Sequence, residues 1–292
     1  MSKIRVAVVF GGRSTKHEIS LISAQGILKN INRDLYQVIP LKIDIEGHWF
    51  LQNSEDVHSN NGTPITLTQG KNSASILENG TGKILQEIDI VFPVLHGVFG
   101  EDGTIQGLLK MLNVAFVGCG VLASSTCMDK DVTKRLLRDA NIPIAPYVCA
   151  TWTHQPNFEK VKQELGLPLF IKPANLGSSV GVHKVNSKTE FETALKDALA
   201  YDSKVLIEQN INGREIEVAV MGNEKPQASL PGEIVNTAGF YDFESKYVSK
   251  DASSTHIPAK LTDEQILEVR ETAKKAYATL GCEGLARVDF FI

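Results

Sequence analysis

Leu167–Lys172 reads as a short apolar strand, and Pro173 leads from it into Gly177-Ser178-Ser179-Val180-Gly181. A lysine on a rigid strand is a point charge suited to phosphate. A Gly/Ser stretch offers amide and hydroxyl donors that can close over a triphosphate. Lys130, at the start of a helix upstream, is a second cation for the same charge. Singly, Lys-Pro pairs and Gly-Ser linkers are commonplace; their combination after a buried strand is what points to phosphate. Glu208 ends the strand VLIEQ, and Glu215 begins the next. Carboxylates so placed can hydrogen-bond the adenine-side and ribose groups of a nucleotide, or be ordinary surface acids.

In Ala286-Arg287-Val288-Asp289-Phe290-Phe291, the period of two puts Arg287 and Asp289 on one face of a strand. An acid for Mg²⁺ beside an arginine for a developing oxyanion explains both; so does a plain ion pair. His96-Gly97-Val98-Phe99-Gly100-Glu101-Asp102-Gly103-Thr104 follows a buried strand, where α/β ligand sites form. His96 there is structural or catalytic, and Glu101-Asp102 can serve as helix caps. Gly11-Gly12 closes the first strand without the G-x-G-x-x-G or G-x-x-x-x-G-K-[ST] pattern. The pair is either a tight turn or a close backbone approach to a ligand. Glu18, in the first turn of the next helix, either stabilises that helix end or binds a substrate ammonium group.

The elements that must position these residues follow from patterning. Ile4–Phe10 is a continuous apolar run, as in a strand buried on both faces. A capped helix is expected over His17–Ile31, then a strand at Tyr36–Ile43 and a small one at His48–Leu51. This β-loop-α-β opening predicts a doubly wound α/β domain. Residues 53–83 are polar and rich in Gly, Ser, Thr and Asn, and predict little structure. Ile88–Leu95 reads as one buried strand, Thr104–Leu112 as a helix and Val114–Val117 as a strand. Further on, helices are expected at Asp129–Ala140, Thr189–Ala200 and Leu261–Leu280, and strands at Lys204–Gln209, Glu215–Met221 and Gly284–Phe291. Residues 237–259 are turn-rich with interspersed aromatics and read as a long functional loop.

Composition narrows the class without naming a reaction. The 292 residues are 42% hydrophobic, enough for two or three domains, and carry a formal charge of −4. A mildly acidic chain has no global attraction to nucleic acid or anionic membrane. No run approaches the roughly 18 apolar residues of a membrane span. Val6–Phe10 is too short for the core of a secretory signal. Cys119, Cys127, Cys149 and Cys282 show neither C-x-x-C nor zinc spacing, and read as buried free thiols of a cytoplasmic protein.

In chain order, VVFGG…HEISL, FPVLHG, GEDGTIQG, MDK, IKPANLGSSVGV, VLIEQ, GREIEVAV, PGEI, FYDFESKY, IPA and ARVDFF span Val8 to Phe291. Together they resemble the D-alanine–D-alanine ligase family, a far more specific signal than any one motif. The resemblance implies an α/β ATP-grasp fold with a Rossmann-like parallel-sheet domain at 1–123, a central subdomain at 124–211 and a C-terminal subdomain at 212–292. It implies ATP-dependent joining of two D-alanines through an acyl phosphate, for peptidoglycan precursor synthesis. Lys130, Lys172, Ser179 and Lys246 would contact phosphates, and Glu208 and Glu215 adenine-side and ribose groups. Glu18, hydrogen-bonded with Ser178 and Tyr247, would bind the first D-alanine's ammonium, with His96 and Gly97 nearby. Arg287 would steady the oxyanion, and Asp289 would ligate Mg²⁺ or Mn²⁺. The loop around Phe240–Pro258 would be a lid, Tyr247 favours D-alanine as acceptor, and a homodimer through the N-terminal domain is implied. The family pattern continues with a Glu and an Asn for the metal, whereas this sequence stops at Ile292, so a truncated chain with weakened catalysis is expected. Two other readings stand beside this one: a non-catalytic nucleotide-binding module, and an ATP-grasp ligase for another amino or hydroxy acid.

Overall fold

The computed structural model describes residues 2–70, 73–177, 180–236 and 253–292. Two compact units divide the chain, Met1–Ser125 and Thr126–Ile292.

The first unit is built on an eight-stranded sheet. Its strands are β1 (Ile4–Gly11), β2 (Tyr36–Ile43), β3 (Trp49–Gln52), β4 (Gly62–Gln69), β5 (Ala74–Glu78), β6 (Ile84–Ile88), β7 (Ile90–Pro93) and β8 (Ala115–Phe116), in the order β6-β5-β4-β3-β2-β1-β7-β8. β2, β1, β7 and β8 are mutually parallel; β3 to β6 continue the sheet as an antiparallel meander. The parallel-sheet expectation therefore describes half of a mixed sheet. The meander occupies much of the stretch read as unstructured. β4 alternates Ile65 and Leu67 with Thr66 and Thr68, and Ile65, Ala74, Ile76 and Ile88 pack in the first core; the polar turn residues between the strands hid these short apolar signals. β1 is apolar on both faces as expected. Ala7 and Val9 join one core cluster; Val6, Val8 and Phe10 join another under α1 (His17–Asn30).

Two expectations need correction in this unit. The run Ile88–Leu95 is not one strand: Ile88 ends β6, and β7 starts at Ile90. Asp89 between them is held by Arg5, through its backbone N–H at 2.8 Å and its guanidinium at 3.0 and 2.5 Å. A charge-assisted clamp of this kind fixes a chain crossing inside an otherwise apolar run. The helix α1 is also not capped by a side chain; its N-cap residue is Lys16, with no side-chain cap bond.

The second unit holds two antiparallel sheets. One has the order β11-β10-β12-β9, from β9 (Tyr147–Thr151), β10 (Leu169–Pro173), β11 (His183–Val185) and β12 (Lys204–Gln209). The other is centred on β13 (Glu215–Met221), which pairs along its whole length with β17 (Leu285–Phe291), and also with β14 (Gln227–Ala228) and β15 (Gly232–Asn236). β16 (Ser253–His256) pairs with β15, so the end of the expected 237–259 loop is a strand. Helices α2 (Thr104–Met111), α3 (Val121–Met128), α4 (Lys130–Asp139), α5 (Phe158–Leu165), α6 (Lys188–Tyr201) and α7 (Asp263–Thr279) complete the described elements; α3, α5, β9, β11, β14 and β15 were not foreseen. α7 opens with a capping box between Thr262 and Gln265. Among the described residues, no helix is long and apolar enough to cross a membrane. The cysteines are less uniform than expected: Cys282 is buried, Cys119 and Cys149 are partly so, and Cys127 is exposed.

Candidate functional site

In the first unit, the site begins where β1 ends. Gly11 and Gly12 have φ of +89° and +95°, and a Cβ on Gly11 would lie 2.2 Å from the Ile43 carbonyl oxygen. Only glycine fits that approach. Buried Ser20, from α1, ties the turn together: its Oγ accepts the Gly11 N–H at 2.7 Å and donates to the Val94 carbonyl at 2.5 Å. The ends of β1 and β7 are thereby fixed side by side. His96 follows, its Nε2 2.9 Å from Ser23 Oγ and its Nδ1 4.0 Å from Glu101 Oε1. Glu101 Oε2 accepts the Gly97 N–H at 2.5 Å and lies 3.3 Å from Lys16 Nζ. Burial pushes the Glu101 carboxyl up, but His96, Lys16 and the Gly97 N–H together outweigh this and hold it at about 2. Asp102 takes the turn-binding role, accepting the N–H groups of Phe99 at 2.8 Å and Thr104 at 3.0 Å. A cavity of about 220 Å³ opens here, lined by Gly11, Gly12, Trp49, His96, Phe99 and Leu108 among others. Glu18 is exposed in the first turn of α1.

In the second unit, β10 and β12 carry the charge. One face of this sheet is core: Leu169, Ile171, Val205 and Ile207 pack with Phe158, Val161, Phe191 and Leu195 of α5 and α6. The other face presents Lys172 and Glu208, on adjacent strands two residues out of register. Lys172 Nζ is 2.5 Å from Glu208 Oε2, and Lys134 Nζ is 3.1 Å from Glu208 Oε1. Both carboxylate oxygens of Glu208 thus face an ammonium group. Burial raises the Glu208 carboxyl, yet Lys172 and Lys134 outweigh it and keep it below the usual range. Lys130 begins α4 behind its N-cap Asp129, and its ammonium donates to the carbonyls of Ala174 at 3.1 Å and Leu176. Burial, then the neighbouring positive charge of Lys172, push the Lys130 ammonium down to about 8. Lys134 and Lys172 approach the one Glu208 carboxylate directly, with Asp129 and Asp202 acting on Lys130 from further off, and this concentration of cations suits a polyanion.

A second network braces this one. Lys204 Nζ lies 2.6 Å from Asp129 Oδ2 and 3.1 Å from Asp131 Oδ2. Asp131, almost fully buried, also accepts from Tyr147 Oη at 2.9 Å and Arg135 Nε at 3.0 Å. The start of α4, and with it Lys130, is therefore held to β9 and β12.

On the remaining sheet, Arg287 and Asp289 do share the exposed face of β17 and are bonded to each other, Nε–Oδ1 2.8 Å and Nη2–Oδ2 2.9 Å. Arg287 Nη1 is also 3.2 Å from Glu217 Oε1, and Glu217 stands directly opposite Asp289 in register. Like charges directly opposite repel, and Arg287 between them neutralises that. Glu215 lies opposite Phe291 on the same face. Mg²⁺ takes one or two protein carboxylates plus phosphates and water, and Asp289 with Glu217 offers such oxygens.

The structure thus brings together Lys130, Lys172 and Glu208, and separately Arg287 and Asp289. Ser178, Ser179, Lys246, Tyr247 and most of the expected lid lie outside the described residues. Sequence reasoning overlooked Lys134 and Glu217. Both signals were available: Lys134 is four residues from Lys130 on a helix, and Glu217 two from Glu215 on a strand. Ser20, Ser23, Lys16 and Lys204 gave no such signal, because their partners are distant in sequence, and Asp131 is joined to β9 and β12 by the distant Tyr147 and Lys204.

The sequence matches the family descriptions "D-ala D-ala ligase N-terminus" over residues 5–119 and "D-ala D-ala ligase C-terminus" over residues 136–292. It is 45% identical over 305 residues to D-alanine–D-alanine ligase A of Escherichia coli strain K12, covering 100% of this chain and 84% of that one. It is 46% identical to the D-alanine–D-alanine ligase of Oceanobacillus iheyensis, covering 99% of this chain and 83% of that one. Among solved structures, the VanG D-Ala:D-Ser ligase of Enterococcus faecalis superposes with a TM-score of 0.88 at 36% identity, over 99% of this chain and 86% of that one. The D-alanine-D-alanine ligase of Coxiella burnetii also gives 0.88, at 35% identity, over 100% of this chain and 81% of that one. The fold is accordingly that of the ATP-grasp ligases. Within that class, the chain belongs to the D-alanine–D-alanine ligase family.

Proposed function

We propose that this protein joins two D-alanine molecules into D-alanyl-D-alanine at the expense of ATP, in the cytoplasm, for peptidoglycan precursor synthesis. The observation that carries the nucleotide half is the cluster of Lys130, Lys134 and Lys172 around the single carboxylate of Glu208. Lys130 and Lys172 neutralise phosphate oxygens, together with Ser179 and Lys246. As Lys172 turns to phosphate, Lys134 keeps the Glu208 charge compensated. Glu208 takes an adenine-side group of the nucleotide, and Glu215 takes the ribose.

The first D-alanine carboxylate attacks the γ-phosphorus and the bond to ADP breaks, giving an acyl phosphate. The second D-alanine's amine, having lost a proton, attacks the acyl carbon, and the carbon–oxygen bond to phosphate breaks. Arg287 faces the developing oxyanion, where fixed positive charge is most effective. Glu18, Ser178 and Tyr247 hold the first ammonium, beside His96 and Gly97. Asp289, with Glu217 opposite, would hold Mg²⁺, which when bound supplies charge neutralisation at the transferring phosphoryl group. The second unit is read as two subdomains meeting near residue 211, and the protein as a homodimer.

The test is phosphate release with ATP, Mg²⁺ and D-alanine. Turnover that requires D-alanine supports the proposal; nucleotide binding with no D-alanine-dependent turnover overturns it in favour of a binding module. The VanG neighbour is a D-Ala:D-Ser ligase, which favours including D-serine as acceptor, beside D-lactate. Faster turnover with D-serine than with D-alanine would reassign the second substrate.

A further inference from the structure

Cys127 and Cys282 are 155 positions apart in sequence, yet their sulfurs are 3.9 Å apart, in contact. Cys127 lies in the last turn of α3 and is exposed; Cys282 is buried in the turn between α7 and β17. The Cys282 N–H is fixed to the Tyr277 carbonyl at 2.9 Å, so the inner sulfur is held by the fold. A disulfide needs the sulfurs at about 2.05 Å, and rotation of the exposed Cys127 side chain is the motion available to close the gap.

The structure assigns to Cys127 and Cys282 an oxidative modification site, in which small-molecule disulfides convert the dithiol to an intramolecular disulfide. The exposed Cys127 thiolate attacks a disulfide RS–SR, forming Cys127–S–SR and releasing one RS⁻. The Cys282 thiolate then attacks the Cys127 sulfur, forming the Cys127–Cys282 bond and expelling the second RS⁻. Two protons leave the protein and two thiols of the oxidant form, so the exchange balances. Exposure of the attacking sulfur and closeness of a resolving one are the conditions such exchange requires. The bond would tie the end of α3, just before Asp129 and Lys130 open α4, to the turn that feeds Arg287 and Asp289 on β17. It would also close a long loop in the unfolded chain and so stabilise the native state.

The experiment treats reduced, native protein with excess oxidised glutathione and follows free thiols, intact mass and peptide linkage. The expected result is loss of two of the four thiols, a mass lower by two hydrogens, a Cys127–Cys282 peptide pair and a raised Tm. Cys282→Ser is expected to stop at a glutathione adduct on Cys127, and Cys127→Ser to leave Cys282 unreacted. A wild-type protein that keeps glutathione on Cys127, or that links Cys119 or Cys149 instead, overturns the assignment. So does a crosslink that forms only in denaturant.

Discussion

Lys172 and Glu208 show how a single side chain acquires its task from its neighbours. In a bare sequence each is an ordinary surface charge; on adjacent strands at 2.5 Å they form an ion pair. On the proposed role of Lys172, Lys172→Ala removes one charge-assisted phosphate contact, about 1.5–3 kcal/mol, and is expected to weaken ATP binding about 10- to 100-fold, measured by calorimetry. Glu208→Ala leaves the partly buried Lys134 and Lys172 without the carboxylate they share. Breaking a buried pair by removing one partner costs about 3–5 kcal/mol, to be read in urea unfolding, while Glu208→Gln keeps the shape and loses less. Lys130 gives the pH dependence. Its ammonium, pushed down to about 8, is partly neutral above that pH in the free protein, whereas bound phosphate favours the charged form. ATP affinity is therefore expected to fall as pH rises through about 8, with proton uptake on binding. Calorimetry at pH 8.5 in buffers of different ionisation enthalpy measures that uptake, and buffer-independent heats would contradict it.

At the scale of elements, the site rests on ends of strands fixed by distant polar groups. Ser20 joins α1 to the ends of β1 and β7, and Asp131 joins α4 to β9 and β12. Ser20→Ala leaves a buried amide and carbonyl short of partners, a loss of about 1–3 kcal/mol, expected in thermal unfolding. D-alanine KM should rise with it, because the turn at Gly11–Gly12 loosens. The β-α-β opening, the strand bearing Lys172 and the Arg287–Asp289 face were all legible, since continuous apolar runs and period-two alternation are local. The meander of β4 to β6 was not, because its apolar residues, among them Ile65, Ile76 and Ile88, come in short runs broken by Gly, Ser, Thr and Asn, and its stability comes from neighbouring strands. Nor was the break at Asp89, which depends on Arg5, 84 positions away.

For the whole molecule, a ligand that binds only the folded chain stabilises it by mass action. A non-hydrolysable ATP analogue at one hundred times its Kd should add about 2.7 kcal/mol, visible as a Tm shift that Lys172→Ala reduces at the same analogue concentration. The family and its chemistry were determined by the sequence itself: ordered motifs from Val8 to Phe291 specify which groups must meet a nucleotide, and each motif is local. Only the tertiary structure decided which charges are buried together. Lys134 beside Glu208, Glu217 opposite Asp289, and the sulfurs of Cys127 and Cys282 in contact are pairings across elements. Such pairings are set by packing and register, which no local pattern of residue types encodes.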